Sequence, residues 1–296
     1  MNDAARVLLE NAEARLLLDP RRGGAVREFS WRGRQVLRPA TDDHSLDPFQ
    51  LSCFPLVPYV NRIAGCTFRS GNKVVRLAPN WNADPHPLHG QGWRAPWDVT
   101  ASTSSAATLE FMGGGNDWPW LYRARQRFEL RADGLLIRLS VQNLSQEPMP
   151  VALGLHPYFP GQGQASMTAQ AGRVWLTDVA ALPVTEAPVP ADWSFATGRK
   201  LAGVPLDHCF TQWDGQALLR WPGYRVRYRA TGCRFLHVYV PRGQDFFCVE
   251  PQTAATGAFN GPDGPPDRLP PQGALSMTLD LAVELGNGGG LNVPGD

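Results

Sequence analysis

Apolar and polar residues alternate along much of this chain, in short segments that are separated by turn-forming residues. Residues 122–143 read YRARQRFELRADGLLIRLSVQN, in which Phe128 and Leu130 alternate with charged neighbours. Alternation with a period of two places one kind of residue on each face of a β-strand. The segment therefore predicts two antiparallel strands, and Asp133-Gly134 predicts a tight hairpin turn between them.

The same pattern recurs from one end of the chain to the other. The 30 glycines and 27 prolines punctuate it without a fixed repeat, and no long amphipathic segment has helical spacing and caps. Many short strands at close spacing predict an all-β fold, a large antiparallel β-sandwich or barrel. Further hairpins are predicted at 24–39, 66–79 and 217–230, with turns at Arg32-Gly33, Gly71-Asn72 and Pro222-Gly223, and further strands at 235–240, 246–250 and 275–285.

Several long stretches lack a strand pattern. Loops of this length inside a compact domain are usually functional or disordered. We expect a single domain over residues 1–285, followed by a flexible glycine-rich tail over 286–296. The stretches without strand pattern are 41–64, 80–96, 113–121, 156–165 and 254–272.

Composition and charge narrow the class of protein. Of the 296 residues, 43% are hydrophobic and 19% are charged, which is typical of a globular chain. The formal net charge is +1 and no block of basic residues occurs, so we expect no nucleic-acid partner. No signal peptide and no apolar run of membrane-spanning length is apparent, so we expect no membrane association. Five cysteines without C-x-x-C spacing favour reduced thiols in the cytoplasm over disulfides or a structural zinc site.

The segment HPLHGQGW places His86 and His89 three residues apart. Two such histidines share a metal when they lie on one face of a helix, but the surrounding prolines and glycines disfavour a helix. On a strand, positions three apart point to opposite faces, and no nearby ligand pattern completes a zinc site. We therefore expect no metal here. Proton transfer, ligand binding and a structural role remain open.

Two further segments end apolar strands on a titratable residue. LGLHPYFP places His156 where Pro157 should stop a strand, and FFCVEPQT ends a predicted strand on Glu250. Each has a plain interpretation: a packed core histidine and a solvent-exposed glutamate. Each also has a functional one, because a strand end holds an imidazole rigidly and a buried carboxyl has a pKa near neutrality. From these segments alone, the plain interpretations are at least as good.

Weaker candidates are scattered along the chain. Asn61 and Arg62 lie between apolar neighbours in VPYVNRIAG, Asp207 lies in PLDHCF, and His237 lies in FLHVYV. The loop segment NDWPWLY contains two tryptophans, whose faces could stack on a sugar or close off a core.

Taken together and in this order, these segments resemble the aldose 1-epimerase, or mutarotase, family. The resemblance extends from about residue 5 to residue 284, and it implies a large antiparallel β-sandwich with a sugar in a shallow cleft. It also implies an isomerase that interconverts the α and β anomers of a free aldose without a metal or cofactor, acting as a monomer or homodimer. The matching motifs are FPLVPYVNRIAGCTF, HPLHGQGW, WPW, GLHPYF, PLDHCF and CVEPQT.

The resemblance implies a role for each matching residue. Glu250 matches the family's catalytic base, His156 its catalytic acid, and His89 a second active-site histidine that binds the sugar. His86 has no such counterpart, and we interpret it as structural or peripheral. The remaining substrate-binding positions are Asn61, Arg62, Tyr158, Asp207 and His237.

The sequence also departs from the galactose-specific members. It has GQGW after His89, prolines beside His156, and His237 where those enzymes often place a glutamine. These differences leave the acid–base pair intact and the identity of the sugar open. Alternatives are a hexose-6-phosphate 1-epimerase, a sugar-binding module without turnover, and a metal-dependent hydrolase. The sequence contains no additional arginine cluster for a phosphate.

Overall fold

The structure is a computed structural model that describes residues 6–41, 47–81, 83–261, 266 and 268–286. The predicted tail over 286–296 lies outside these residues except for its first position. Across the described part of the chain, no helix has the length and apolarity needed to cross a membrane.

Short β-strands and single turns of 3-10 helix make up the regular structure of the described residues. The 3-10 turns are Pro48–Gln50, Ala64–Cys66, Gly115–Asp117, Ala191–Trp193 and Ala258–Asn260. The strands are β1 (Val7–Glu10), β2 (Ala14–Asp19), β3 (Ala25–Trp31), β4 (Arg34–Gln35), β5 (Pro55–Leu56), β6 (Thr67–Ser70), β7 (Lys73–Arg76), β8 (Asp98–Ser102), β9 (Ala106–Gly113), β10 (Tyr122–Arg131), β11 (Gly134–Asn143), β12 (Met149–Pro150), β13 (Gly154–Leu155), β14 (Tyr158–Pro160), β15 (Ser166–Ala169), β16 (Arg173–Thr177), β17 (Pro183–Pro188), β18 (Arg199–Lys200), β19 (Leu206–Thr211), β20 (Gln216–Trp221), β21 (Tyr224–Thr231), β22 (Phe235–Val240), β23 (Phe246–Gln252), β24 (Arg268–Leu269) and β25 (Ala274–Leu285).

Two large antiparallel sheets dominate the architecture, which confirms the all-β prediction. The larger has nine strands in the order β18-β15-β20-β21-β25-β11-β10-β9-β8. The second has eight strands, β17-β16-β19-β22-β23-β13-β5 with β14 paired to β23. A four-stranded sheet, β1-β2-β3-β4, and two strand pairs, β12-β24 and β6-β7, complete the described structure.

Aromatic side chains fill the space between the two large sheets, as in a β-sandwich. Phe247 on β23 lies 6.0 Å from Trp221 on β20, measured between ring centroids. The Tyr228 hydroxyl on β21 donates a 2.9 Å hydrogen bond to the Val249 carbonyl on β23. One face of β23 therefore packs against the opposite sheet, and its other face remains available for a site.

The hairpin predicted at 122–143 forms as β10 and β11, but its turn differs from the prediction by one residue. Arg131 pairs with Gly134, so Ala132 and Asp133 make the turn. Gly134 belongs to the strand, where a Cβ would lie 2.0 Å from the Leu281 carbonyl oxygen on β25. The glycine is needed for close strand packing, and the Asp-Gly pair was wrongly read as the turn. The other three predicted turns, at Arg32-Gly33, Gly71-Asn72 and Pro222-Gly223, are confirmed.

Candidate active site

A cleft of about 600 Å³ opens beside the end of β23. Its lining combines aromatic side chains with polar and charged ones, as is usual for a small-molecule site. All eight residues that were predicted to form a site line this cleft: Asn61, Arg62, His89, His156, Tyr158, Asp207, His237 and Glu250.

Glu250 forms the floor of the cleft. It lies on β23 directly opposite His237 on β22, and only 2% of its surface is exposed. As the strand alternation predicts, Phe247 and Val249 point the other way into the core, where both are fully buried. The Gln252 amide donates a 3.2 Å hydrogen bond to Oε2 of Glu250. The interpretation of Glu250 as a solvent-exposed strand end is therefore wrong.

The pKa of Glu250 is raised to about 7. Burial is the main cause, because it disfavours the charged form, and the negative charge of Asp207 adds to the rise. The positive charges of His237 and Arg62 and the hydrogen bond from Gln252 oppose it only in part. The carboxyl can therefore take up and release a proton near neutral pH.

His156 follows β13 and lies against Glu250. Its Nε2 is 3.3 Å from Oε1 of Glu250. The imidazole is packed between Phe54, at 4.6 Å, and Tyr158, at 4.7 Å, measured between ring centroids. Burial is the main reason why its pKa falls to about 3, and the positive charge of His237 lowers it further. Between these two pKa values, near 3 and near 7, the His156–Glu250 pair shares a single proton.

Next to this pair lies a second one, between His237 and Asp207. Nε2 of His237 is 2.8 Å from Oδ1 of Asp207. Burial favours neutral His237, but the charge of Glu250 and the hydrogen bond to Asp207 outweigh it and raise the pKa well above its usual value. Burial favours protonated Asp207, yet the hydrogen bond and charge of His237 lower its pKa. The pair is therefore ionic, with the cation beside Glu250.

The wall of the cleft is formed by two loops that hydrogen-bond to each other. Asn61 and His89 both have left-handed backbones, with φ of 54° and 58°. The Asn61 amide donates to Nδ1 of His89 at 3.2 Å, and the His89 amide donates to the Asn61 carbonyl at 3.0 Å. Burial is the main reason why the pKa of His89 lies well below its usual value. The ring is therefore neutral, and since Nδ1 accepts a hydrogen bond, Nε2 carries the proton.

Gly90 explains why the His89 loop can approach so closely. Its φ is 78°, and a Cβ at this position would lie 2.2 Å from the Val57 carbonyl oxygen. The adjoining Val57-Pro58 peptide bond is cis. Only glycine fits this contact, which places His89 against the neighbouring loop.

Arg62 is held at the mouth of the cleft by Asp84. The Arg62 Nε donates a 2.6 Å hydrogen bond to Oδ2 of Asp84, and its NH1 donates to Oδ1 of Asn61 at 3.3 Å. The other Asp84 oxygen accepts a 2.9 Å bond from the His86 amide. Asp84 was not predicted, because nothing in its loop segment distinguishes it from a solvent-exposed aspartate.

His86 and the two tryptophans do not line the cleft. Trp118 is fully buried and stacks on Phe68 with 5.5 Å between ring centroids, and Trp120 is 3% exposed. Of the two interpretations of this loop, the second is correct: the tryptophans close off the core and do not stack on a ligand in the cleft. The structural or peripheral assignment of His86 agrees with its position.

Cleft-lining residues other than the eight were not predicted. Arg38 is the one that carries a charge, and although it lies in the hairpin predicted at 24–39, no motif marked it as a site residue. The remaining ones are Thr41, Phe49, Gln50, Leu88, Tyr239, Gln244 and Phe246.

One buried cluster at the floor of the cleft has ligand atoms close enough for a metal ion. Atoms of His156, Cys248 and Glu250 lie within 4.8 Å of one another. Cysteine binds metals as the thiolate, whereas burial, and then the charge of Glu250, raise the pKa of Cys248 well above its usual value. The donor chemistry of this cluster therefore disfavours a metal.

This arrangement suits a protein that moves protons on a polyhydroxylated small molecule. A family model for aldose 1-epimerase matches residues 6–272. The chain therefore belongs to the aldose 1-epimerase family. YphB of Escherichia coli K12, an uncharacterized protein, is 34% identical over 288 residues, which cover 91% of this chain and 96% of YphB.

Solved structures agree with this assignment. The crystal structure of a putative aldose 1-epimerase from Escherichia coli K12 has a TM-score of 0.88 at 29% identity, covering 95% of this chain and 99% of that one. The galactose 1-epimerase of Lactobacillus acidophilus has a TM-score of 0.81, with 97% of each chain covered. At 19% identity, this second likeness shows the fold alone.

Proposed function

We propose that the protein interconverts the α and β anomers of a free aldose, with Glu250 as base and His156 as acid. The observation that carries this proposal is the 3.3 Å contact between the two side chains on the floor of a sugar-sized cleft. Between the two pKa values the pair holds one proton, which rests on Glu250. Transfer of this proton across the contact to His156 gives the ionised base and the protonated acid that the reaction needs.

The reaction needs two proton transfers on the sugar. Glu250 takes the proton of the C1 hydroxyl while His156 protonates the ring oxygen, so that the C1–O5 bond breaks and an aldehyde forms. Rotation about the C1–C2 bond then exposes the other face of the aldehyde. Ring closure returns the proton from Glu250 to O1 and the ring-oxygen proton to His156. The protein is thereby restored, and no redox step or external reactant is involved.

The polar wall of the cleft supplies groups for the sugar hydroxyls. His89 offers an Nε2–H donor, while Arg62 and Asn61 offer fixed N–H donors. Asp207, whose side chain is 44% exposed, offers acceptor oxygens, and His237 balances its charge. The Tyr158 ring forms an apolar face beside His156. Contacts that hold the ring in place shorten both proton transfers.

Anomer exchange in a panel of aldoses tests the proposal. NMR exchange spectroscopy, corrected for the uncatalysed rate, is applied to the wild type, Glu250→Gln and His156→Gln. Each substitution removes one general acid or base, so we expect kcat to fall by roughly 10²–10⁴-fold. Glu250→Gln keeps the shape of the side chain, whereas His156→Gln replaces a packed ring. Circular dichroism checks that both variants fold.

Equal exchange rates for the wild type and Glu250→Gln with every sugar would refute the proposal. Saturable sugar binding without anomer exchange would instead identify a sugar-binding module.

A further inference from the structure

Arg38 lines the cleft near the far end of β23 and is held in place by backbone and aromatic groups. Its NH2 donates hydrogen bonds to the carbonyls of Phe49, at 2.6 Å, and Leu51, at 3.0 Å. Its guanidinium lies over two rings, 4.1 Å from the centroid of Tyr158 and 4.5 Å from that of Phe246. These contacts fix the position of a cation in the cleft wall.

Unlike Arg62 and Asp207, Arg38 forms no ion pair with another described residue. Within the described part of the chain, no carboxylate oxygen lies within 4.0 Å of Arg38, and no group accepts a hydrogen bond from its buried Nε. Burial lowers its pKa from the usual value, and the nearby groups Tyr158, Cys248 and Asp47 oppose this only in part. Two other charged side chains of the cleft each lie against an oppositely charged partner: Arg62 against Asp84, and Asp207 against His237.

A desolvated cation that has no counter-ion among the described residues is costly unless a ligand supplies the negative charge. The two aromatic faces offset only part of this cost. With NH2 bound to two carbonyls, NH1 remains as a donor for such a ligand.

The position of Arg38 indicates which part of a sugar it would meet. The Tyr158 ring stacks on His156 and also lies under the Arg38 guanidinium. In the proposed reaction His156 meets the ring oxygen, which in a pyranose is bonded to C1 and C5. Since C1 must face Glu250, C5 and its C6 substituent point away from Glu250. Arg38 lies beside Phe246, four residues along β23 from Glu250, or roughly 13 Å of strand.

We propose that Arg38 binds an oxyanion on C6 of the substrate and makes the protein selective for acidic aldoses over neutral ones. This inference rests on the proposed function, because it takes the orientation of the sugar from it. A hexuronate carries a carboxylate at C6 and a hexose 6-phosphate carries a phosphate there. Both present the shared chemistry, an anion within reach of one guanidinium.

The test compares kcat/KM for anomer exchange with three sugars of one stereochemistry: glucose, glucuronate and glucose 6-phosphate. We expect the wild type to favour at least one of the acidic sugars over glucose. We expect Arg38→Met to reduce this preference by roughly ten- to hundredfold, because a charge-assisted hydrogen bond is lost. Arg38→Lys keeps the charge and should restore part of the preference.

The control is Arg242→Met, which removes an equal charge from an exposed position beside the cleft. If distant attraction caused the preference, both methionine variants would lose it equally. The acidic sugar that is favoured identifies the anion as carboxylate or phosphate. Equal wild-type efficiency with all three sugars would overturn the inference while leaving the proposed reaction intact. So would an equal loss for all three in Arg38→Met, which would assign Arg38 to the loop structure.

Discussion

The floor of the cleft is carried by strands and strand ends, whereas its wall is carried by loops. On the floor, Glu250, His156 and His237 are brought together by the register of β22, β23 and the neighbouring β13. On the wall, Asn61 and His89 are positioned by left-handed backbone angles and reciprocal backbone hydrogen bonds. The two parts therefore use different means to place polar groups in one cavity.

Burial affects the two parts differently. On the floor it sets the protonation of Glu250, His156 and His237, and the desolvation of these groups lowers the stability of the folded state. On the wall a neutral imidazole, with its tautomer fixed by a backbone amide, needs only an accurate position. We expect substitutions on the floor to change kcat, pH dependence and stability, and substitutions on the wall to change mainly KM.

The largest effect is expected for the stability of Glu250→Gln. A buried glutamate with a raised pKa is protonated in the folded state below pH 7, and it destabilises the fold once it must ionise. The penalty is absent below the unfolded pKa and complete above about 7. At pH 8 the neutral amide should raise the free energy of unfolding by on the order of 3 kcal/mol, with little gain at pH 4.5.

Urea unfolding of both proteins at the two pH values measures this gain, with the surface variant Glu129→Gln as control. If Glu250→Gln were no more stable than the wild type at pH 8, the buried carboxylate would not destabilise the fold, and the floor would not differ from the wall in this respect.

The strand-borne half of the site could be predicted further from the sequence than the loop-borne half. Alternation in FFCVE placed Glu250 on one face and Phe247 on the other, and β23 has that arrangement. Burial of Glu250 could not be predicted, because it depends on packing by residues distant in the sequence. The resemblance was needed to choose between a buried base and an exposed strand end.

The loop-borne half shows the limit of local patterns more clearly. Periodicity says nothing about loops, so only motif resemblance pointed to Asn61 and His89. Asp84 and Arg38 belong to no quoted motif, and their importance depends on contacts that the fold creates. The fold gives a similar example in Gly134. Its glycine is required by close contact with β25 and not by a turn, which the local sequence could not show.

A comparison of His89→Leu with His86→Leu tests the wall. The two residues share one short segment, but His89 alone lines the cleft. Leucine has no hydrogen-bond donor, so loss of the Nε2–H group of His89 should raise KM and lower kcat/KM by roughly ten- to hundredfold. His86→Leu should stay close to the wild type. Steady-state anomer exchange measures both, and a larger loss at His86 would reverse the assignment of the segment.

The pH profile tests whether the floor works as a pair that shares one proton. With pKa values near 3 for His156 and near 7 for Glu250, one proton remains on the pair between them. Below pH 7 kcat/KM should therefore be flat, and above it should fall about tenfold per pH unit as this proton is lost. Exchange rates from pH 5.5 to 9 measure the profile. A rise through pH 7 would instead show that ionised Glu250 works beside neutral His156.

The smallest effect is expected for Asp84→Asn, which loosens the wall without touching the floor. An asparagine can still accept the His86 amide bond, but its second polar atom is an amide nitrogen, which cannot accept the bond from Arg62. Because Arg62 is partly exposed, KM should rise by only roughly three- to tenfold, with kcat and its pH profile unchanged. Asp98→Asn on the exposed edge strand β8 is the matched control. A fall in kcat with unchanged KM would mean that Arg62 acts on the floor groups through its charge, and the wall and the floor would then be one electrostatic unit.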